Sequence, residues 1–202
     1  MSVITISRQF GAGGKTLGEM ISKALGYAFV DDEIIQLVAK KGKVSTDWVK
    51  SIEKEAGGKL QKYMNSLVRR SFVERILDDK RGYIDEGIYV DLLYQIITKV
   101  AQEGNAVILG RGGQYILRDH PDTFHVLLIA DKQHRIKFME RRYDLSLPSA
   151  VQSINREDKR RSNLYRKFGK EDYDQPGLYH LVLNTGKLDL ETSARLVCGL
   201  VI

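Results

Sequence analysis

The fold is decided by one stretch near the N-terminus, Val3-Ile4-Thr5-Ile6-Ser7-Arg8-Gln9-Phe10-Gly11-Ala12-Gly13-Gly14-Lys15-Thr16. Its first four residues form a short, β-prone apolar run, which predicts a buried strand. Apolar residues then recur at helical spacing from Leu17 to Leu25, and Gly26 is placed to cap that helix. A strand, a glycine-rich turn and a helix in this order are the setting that a phosphate-binding loop requires.

The glycine-rich turn has the chemistry of an anion site. Glycines let backbone N–H groups point at a phosphate without a side chain in the way, and the helix that follows adds the positive end of its dipole. We therefore predict that Gly11, Ala12, Gly13 and Gly14 bind nucleotide phosphates. Lys15 would reach the β- and γ-phosphates, and the Thr16 hydroxyl would ligate Mg²⁺.

The match to the motif G-x-x-x-x-G-K-[ST] is imperfect. Anchored on Gly14-Lys15-Thr16, the motif needs a glycine at position 9, where Gln9 stands. Counted from the end of the strand, Gly14 falls where the lysine belongs. Either the loop is shifted by one residue or the role of Lys15 is weakened, and an ordinary strand-to-helix turn is the alternative.

Further apolar runs alternate with helical patterns along the chain. Near-continuous runs at 27–30, 106–109, 124–129 and 180–184 predict buried strands, and helices are expected from near Ser146 and from about Asp189. This alternation predicts an α/β fold with a parallel sheet covered on both faces. The interpretation is one domain spanning residues 1–202, with a helical insertion near 40–85.

Two further groups of polar residues follow predicted strands, at the edge where ligands bind in open α/β sheets. Arg111, within Gly110–Gly113, is placed to grip an acceptor phosphate. Its alternative is a turn arginine paired with a surface carboxylate. Asp31 and Asp32 follow the second strand and can orient the acceptor or help to hold Mg²⁺, although N-capping of the next helix by Asp32 is an equal alternative.

A basic segment between Arg156 and Lys170 contains seven basic residues against two acidic ones. Arg156, Lys159, Arg160 and Asn163 share one helix face. Such a row of cations suits a lid, at about 147–175, that closes over a transferring phosphoryl group. Asp158 lies among them and can hold an arginine in place. A solvated helix face is the alternative.

Composition narrows the class of protein. The 202 residues carry a net charge of +6, with 43% apolar and 29% charged residues, as expected for a globular domain. One cysteine excludes an internal disulfide framework and a Cys-rich zinc site. No apolar run approaches the roughly 20 residues that cross a bilayer, and no secretory signal is evident. The expected location is the cytoplasm.

Several of these stretches resemble the cytidylate-kinase-like family. The resemblance rests on the glycine-rich opening, on Leu25-Gly26-Tyr27-Ala28-Phe29-Val30-Asp31-Asp32, on Val107-Ile108-Leu109-Gly110-Arg111-Gly112-Gly113, on Asp158-Lys159-Arg160-Arg161 and on Leu181-Val182-Leu183-Asn184-Thr185. It implies a P-loop nucleoside-monophosphate-kinase fold, a five-stranded parallel sheet with a helical lid. It also implies ATP and Mg²⁺ as co-substrate and ion, CMP or dCMP as acceptor, the Gly11–Thr16 loop on the ATP phosphates, Arg111 on the acceptor phosphate, and Arg156, Arg160 and Arg161 as lid arginines. Asp31, Asp32 and Asp158 are predicted substrate contacts from their own positions in the chain.

Two departures from the family pattern bear on function: the irregular phosphate loop, and Gly112 where cytidylate kinases have an acidic residue. They leave another small phosphorylated or hydroxylated acceptor open, and also a nucleotide-binding module without turnover. A nucleic-acid binder that uses the basic helix is a third hypothesis, and it ranks last because only Tyr165 and Phe168 interleave the charges. The oligomeric state is not predicted.

Overall fold

The computed structural model describes residues 1–31, 86–169 and 173–201, with the backbone alone at 86–92, 160 and 167. The predicted insertion near 40–85 and Asp32 lie outside the described residues. No helix among the described residues is long and apolar enough to cross a membrane.

The centre of the molecule is a five-stranded, all-parallel sheet. Its strands are β1 (Val3–Arg8), β2 (Ala28–Val30), β3 (Ala106–Leu109), β4 (Thr123–Ile129) and β5 (Leu181–Asn184), in the order β2-β3-β1-β4-β5. This confirms the predicted α/β fold. Ile6 on the central strand is opposite Leu109 of β3 and Val126 of β4, so the turns after β1 and β3 lie side by side.

Helices alternate with the strands along the chain. They are α1 (Gly14–Leu25), α2 (Glu86–Glu103), α3 (Gly113–Ile116), α4 (Lys132–Tyr143), α5 (Leu147–Lys167) and α6 (Leu190–Cys198), with a 3₁₀ turn at Pro176–Leu178. Ser146 and Asp189 accept hydrogen bonds from backbone amides three residues on, which fixes the starts of α5 and α6. Both starts, and Gly26 as the cap of α1, confirm the predictions.

Both faces of the sheet are covered, because β1 is buried along almost its whole length. On one face, alternate residues of β1 (Ile4 and Ile6) pack with Leu17 and Ile21 of α1, and α6 completes the cluster. A smaller apolar cluster joins α4 to α5 through Ile136, Met139, Ala150 and Ile154. The predicted lid helix α5 is therefore packed on its neighbour along its first half.

Helix α4 was not among the predicted elements. Its buried residues are Arg135, Ile136 and Met139, and most of its other side chains are charged or polar. Two buried apolar residues, Ile136 and Met139, are too few for a helical period to be recognised in the sequence. Asp131 starts the helix by accepting a hydrogen bond from the His134 amide at 2.8 Å.

Candidate functional site

The turn after β1 has the backbone of an anion-binding loop. Gly11 (φ 86°) and Gly13 (φ 80°) are left-handed, a conformation that glycine adopts without a steric cost. Gly13 is the N-cap of α1, so Gly14 is the first helical residue. The chain thus reverses between strand and helix with its amides near the positive end of a 12-residue helix.

Several amides of this loop donate no hydrogen bond within the described residues. Ala12 donates to the Gln9 carbonyl at 3.1 Å, which closes the turn. Within the part of the chain that the structure describes, the amides of Gly11, Gly13 and Gly14 donate to no carbonyl or side chain. Because buried amides are nearly always paired, unpaired amides at a helix start suit an anionic ligand.

Gln9 and Thr185, which follows β5, each hold the turn by a side-chain hydrogen bond. The Gln9 amide donates to the Leu128 carbonyl, and its side-chain oxygen accepts from the Ala130 amide, both at 3.0 Å. Gln9 is therefore directed towards the end of β4. The Thr185 hydroxyl donates to the Ala12 carbonyl at 3.1 Å and braces the loop from the far side.

Asp158 of the basic helix is bound to the loop. Its carboxylate accepts from the Phe10 amide at 3.0 Å and from Arg135 Nη1 at 2.7 Å. The same Arg135 nitrogen donates to the Phe10 carbonyl at 3.1 Å. Asp158 does hold an arginine, but that arginine lies on α4, outside the basic segment. Its predicted contact with substrate stays a prediction.

The sequence reasoning missed Arg135. Its side chain is only 11% exposed, and with Asp158 it joins α4 and α5 to Phe10. No local pattern marks it, because its partners are 23 and 125 positions away.

Lys15 and Thr16 are the second and third residues of α1. Lys15 is 43% exposed, and its Nζ lies 3.4 Å from Oδ2 of Asp31, which is largely buried just beyond β2. The structure thus brings Lys15 and Asp31 together at the β2 side of the loop. The Thr16 hydroxyl, partly buried in the first turn of α1, is the oxygen donor for Mg²⁺ in the predicted site.

The turn after β3 is tighter than the first. Gly110 donates to the Ile6 carbonyl at 2.9 Å and Gly113 to the Gly110 carbonyl at 3.1 Å. The backbone of Arg111 is left-handed (φ 56°), which is unusual for a residue with a side chain. Arg111 is also buried, with 6% of its surface exposed. A Cβ at Gly112 would lie 2.7 Å from the Phe168 ring, so the acidic residue of the family pattern would require that ring to shift.

A cleft opens between the two turns and the end of α5. It is lined by Arg8, Phe10, Arg111, Glu157, Arg161, Leu164 and Tyr165. Three of these residues are arginines and one is acidic, so the lining favours an anionic ligand with an apolar part.

Among the described side chains of the basic helix, Arg161 is held by an ion pair and lies near two aromatic rings. Its two terminal nitrogens contact the two Asp174 oxygens at 3.0 and 2.7 Å, and its guanidinium lies 5.7 Å from the Tyr165 ring and 5.4 Å from the Tyr173 ring. Burial alone would lower the pKa of Arg161, but the neighbouring Tyr165 and Asp174 raise it above its ordinary value. Arg161 is a fixed cation.

The other lid arginines differ from Arg161. Arg156 is 70% exposed, and its Nε lies 3.0 Å from Glu157 Oε1. It lies outside the cleft lining, and a surface pair of this kind contributes little stability. Only the backbone of Arg160 is described.

Tyr165 lines the cleft, and Tyr115 packs against Tyr165. Tyr165 is fully buried, with its hydroxyl 3.0 Å from that of Ser7. Tyr115 meets the Tyr165 ring edge-on at 5.3 Å, and burial raises the pKa of Tyr115 to about 12. At neutral pH the Tyr115 phenol keeps its proton.

The whole chain can be compared with known proteins. The model of the cytidylate kinase-like family matches residues 3–187. Among curated proteins, no relative matches the chain significantly.

Three solved structures illustrate the fold. An uncharacterized protein from Eubacterium ventriosum is 19% identical, over 99% of this chain and 97% of that one, with a TM-score of 0.67. A shikimate kinase from Bacteroides thetaiotaomicron is 16% identical over 98% and 97%, with a TM-score of 0.51. A sugar kinase from Janibacter sp. is 12% identical over 98% and 93%, with a TM-score of 0.50. At such identities the likeness shows the fold alone.

Proposed function

The chain belongs to the cytidylate kinase-like family, and on that premise we propose that it transfers the γ-phosphoryl group of ATP to a nucleoside monophosphate. CMP and dCMP are the first candidates for the acceptor. The observation that carries the proposal is the set of unpaired amides at Gly11, Gly13 and Gly14, at the start of α1. Amides in this position stabilise phosphate through direct hydrogen bonds and through the helix dipole.

On the donor side, Gly11, Ala12, Gly13 and Gly14 form the cradle for the ATP phosphates. Lys15 and the Thr16 hydroxyl stand at the next two positions, for the outer phosphates and for Mg²⁺. Mg²⁺ would neutralise charge that develops during transfer. For Lys15 to reach the phosphates, its 3.4 Å contact with Asp31 has to be exchanged for a phosphate contact.

On the acceptor side, Arg111 is the side chain that the turn after β3 aims at the cleft. A guanidinium binds a phosphate through two parallel hydrogen bonds, which fixes the acceptor's orientation. Asp31, Asp32 and Asp158 are the predicted acceptor contacts. Positioning is the main task here, because phosphoryl transfer needs little covalent chemistry from the protein.

The arginines of the lid have two proposed roles, charge neutralisation and closure over the bound nucleotide. Arg161 already lines the cleft and can neutralise charge from its fixed position. The exposed Arg156 has the freedom to turn towards a bound nucleotide, and Arg160 lies on the same helix face. Closure by these cations would also exclude water and suppress hydrolysis of ATP.

A second function is favoured by one specific observation, the ion pair of Lys15 with Asp31. If that pair persists with ATP bound, the loop holds a nucleotide without completing the transfer. The protein would then be a nucleotide-binding module. Alternatively, it would be a kinase of another small acceptor, which would itself supply the contacts that Lys15 does not make.

A panel assay separates these functions. ADP formation is measured with ATP and each of CMP, dCMP, UMP, AMP, shikimate and gluconate, with and without Mg²⁺. Thermal unfolding is followed in the same mixtures, since a ligand that binds only the folded state raises the melting temperature.

The proposal expects ADP formation that requires both CMP or dCMP and Mg²⁺. Thermal stabilisation by ATP without turnover on any acceptor would support the binding module instead. Absence of both stabilisation and turnover would contradict both functions.

A further inference from the structure

We propose that Arg8, at the end of β1, supplies the cation that a lysine supplies in a conventional phosphate loop. This inference rests on the proposed binding of ATP at the turn after β1. It assigns a phosphate-binding role to a residue outside the motif Gly14-Lys15-Thr16.

The first argument is the register of the loop. The motif runs from a strand, through G-x-x-x-x-G, to a lysine that opens the helix. Here β1 ends at Arg8, Gly13 is the left-handed N-cap and Gly14 opens α1. Counted on this backbone, Arg8 stands at the first glycine of the motif and Gly14 at the lysine. Relative to the motif, position 8 carries an arginine in place of the first glycine, and position 14 carries a glycine in place of the lysine.

The second argument is spatial. A Cβ built on Gly14 would lie 2.8 Å from Arg8 Cγ and 3.3 Å from both Arg8 Cβ and Cδ. The stem of Arg8 therefore fills the space into which a side chain at position 14 would project. The glycine at 14 and the arginine at 8 depend on each other, because a side chain at 14 would collide with the stem beside it.

The third argument is where Arg8 leads. Arg8 lines the cleft together with Arg111 and Arg161, whereas Lys15 is not part of that lining and contacts Asp31. Arg8 thus connects the loop that would hold the donor phosphates with the cleft that would hold the acceptor. A guanidinium in that position can contact both partners through its planar set of donors.

Binding of ATP and of adenosine to matched variants tests the role by isothermal titration calorimetry, with Mg²⁺ present. Arg8→Ala is expected to weaken ATP binding about 10- to 100-fold and to leave adenosine binding unchanged, because only ATP carries the phosphates. Arg8→Lys keeps the charge and should lie in between. Arg142→Ala removes an exposed arginine near the end of α4 and serves as the control.

The exchange of positions gives a rescue experiment. Arg8→Gly should lose ATP affinity, and Gly14→Lys alone should also lose it, because the new side chain collides with Arg8. The double variant Arg8→Gly/Gly14→Lys restores the conventional arrangement and should recover affinity to within about 10-fold of the wild type. Melting temperatures of all variants check that the fold is intact.

The outcomes separate this inference from the proposed function. A wild-type protein that fails to bind ATP would overturn both. If the wild type binds ATP, Arg8→Ala binds equally well and Lys15→Ala loses binding, the proposed function stands and the inference is wrong. A double variant no better than Arg8→Gly, although folded, would also count against it.

Discussion

Two glycine-rich turns follow two neighbouring strands, and they differ in length, in hydrogen bonding and in the helix that follows. The turn after β1 spans five residues, from Gln9 to Gly13, and leads into the 12-residue helix α1. The turn after β3 is closed by hydrogen bonds of Gly110 and Gly113 and leads into α3, which has four residues. Among the described residues, the amides of Gly11, Gly13 and Gly14 in the first turn donate no hydrogen bond, whereas Gly110 and Gly113 of the second turn donate to the carbonyls of Ile6 and Gly110.

The difference teaches what each turn can recognise. A long helix and unpaired amides favour phosphate binding by the backbone, which tolerates no added Cβ. A closed turn in front of a short helix offers no comparable dipole, so it contributes a side chain, Arg111, held at φ 56° between two glycines. The sheet register places the two turns side by side, as the proposed donor and acceptor sites would require.

The largest expected effect comes from Arg111→Ala. If the second turn acts through this side chain, kcat/KM for the acceptor should fall about 10²–10³-fold while ATP affinity stays unchanged. Steady-state kinetics combined with ATP titration measure both quantities. Arg118→Ala, on an exposed arginine just past α3, is the matched control. A loss of ATP affinity equal to the loss in kcat/KM would abolish the distinction between the turns.

The second prediction concerns the pH dependence of stability, through a buried histidine near the second turn. His125 Nδ1 lies 2.7 Å from the Thr5 hydroxyl, and Thr5 in turn packs against Gly113. Burial and the neighbouring His180 lower the pKa of His125 from 6.5 to about 4. The unfolded chain therefore takes up the proton first as the pH falls.

The contribution of His125 to stability is thus fully present above about pH 6.5 and is lost as the pH falls through about 4, a change of at most about 3 kcal/mol. Urea unfolding between pH 7 and pH 4 measures it. His125→Gln should have a flatter pH dependence than the wild type. An equally steep decline in the variant would show that other groups cause it.

Single Cβ additions test the two turns directly. Gly11→Ala forces a side chain onto φ 86° and against the Arg135 carbonyl oxygen, 3.1 Å away, so ATP affinity should fall about 10- to 100-fold. Gly112→Ala should leave ATP affinity intact and raise the KM of the acceptor. Gly26→Ala is the control, because its φ of 69° carries the same strain with no atom within 4 Å. Equal effects of Gly11→Ala and Gly112→Ala on ATP would refute the division of roles.

The smallest expected effect concerns the brace on the first turn. Arg135→Gln and Asp158→Asn each disturb the hydrogen bonds to Phe10, and a double-mutant cycle isolates their coupling, expected at about 1–2 kcal/mol in the free energy of unfolding. Arg135→Gln leaves Asp158, a predicted acceptor contact, in place, so in this variant acceptor KM should change less than ATP affinity. A coupling energy near zero would show that the ion pair does not brace the loop.

Local patterns predicted much of this architecture. The strand at 106–109 and the starts of α5 and α6 follow from apolar runs and capping residues, which act over a few positions. The resemblance in five ordered stretches predicted the family. Gly26 predicted the end of α1 because a left-handed cap there requires glycine.

Partnerships across the chain could not be predicted in the same way. Asp158 was expected to hold an arginine, but its partner Arg135 lies on a helix with too few apolar contacts to be recognised. The pairing of Arg161 with Asp174 and the stem of Arg8 beside Gly14 depend on the folded geometry alone. The sequence left two registers open for the loop, and the backbone places Gly14 at the first helical position.

The amide resonances of the two turns provide the most direct test. In ¹⁵N-labelled protein, titration with ATP and Mg²⁺ should shift the amide signals of Gly11, Gly13 and Gly14 strongly, while those of Gly110 and Gly113 move little. Adenosine, which lacks phosphates, should leave all five nearly unchanged. If ATP binds and the three signals from the first turn stay in place, backbone binding of phosphate at that turn is contradicted.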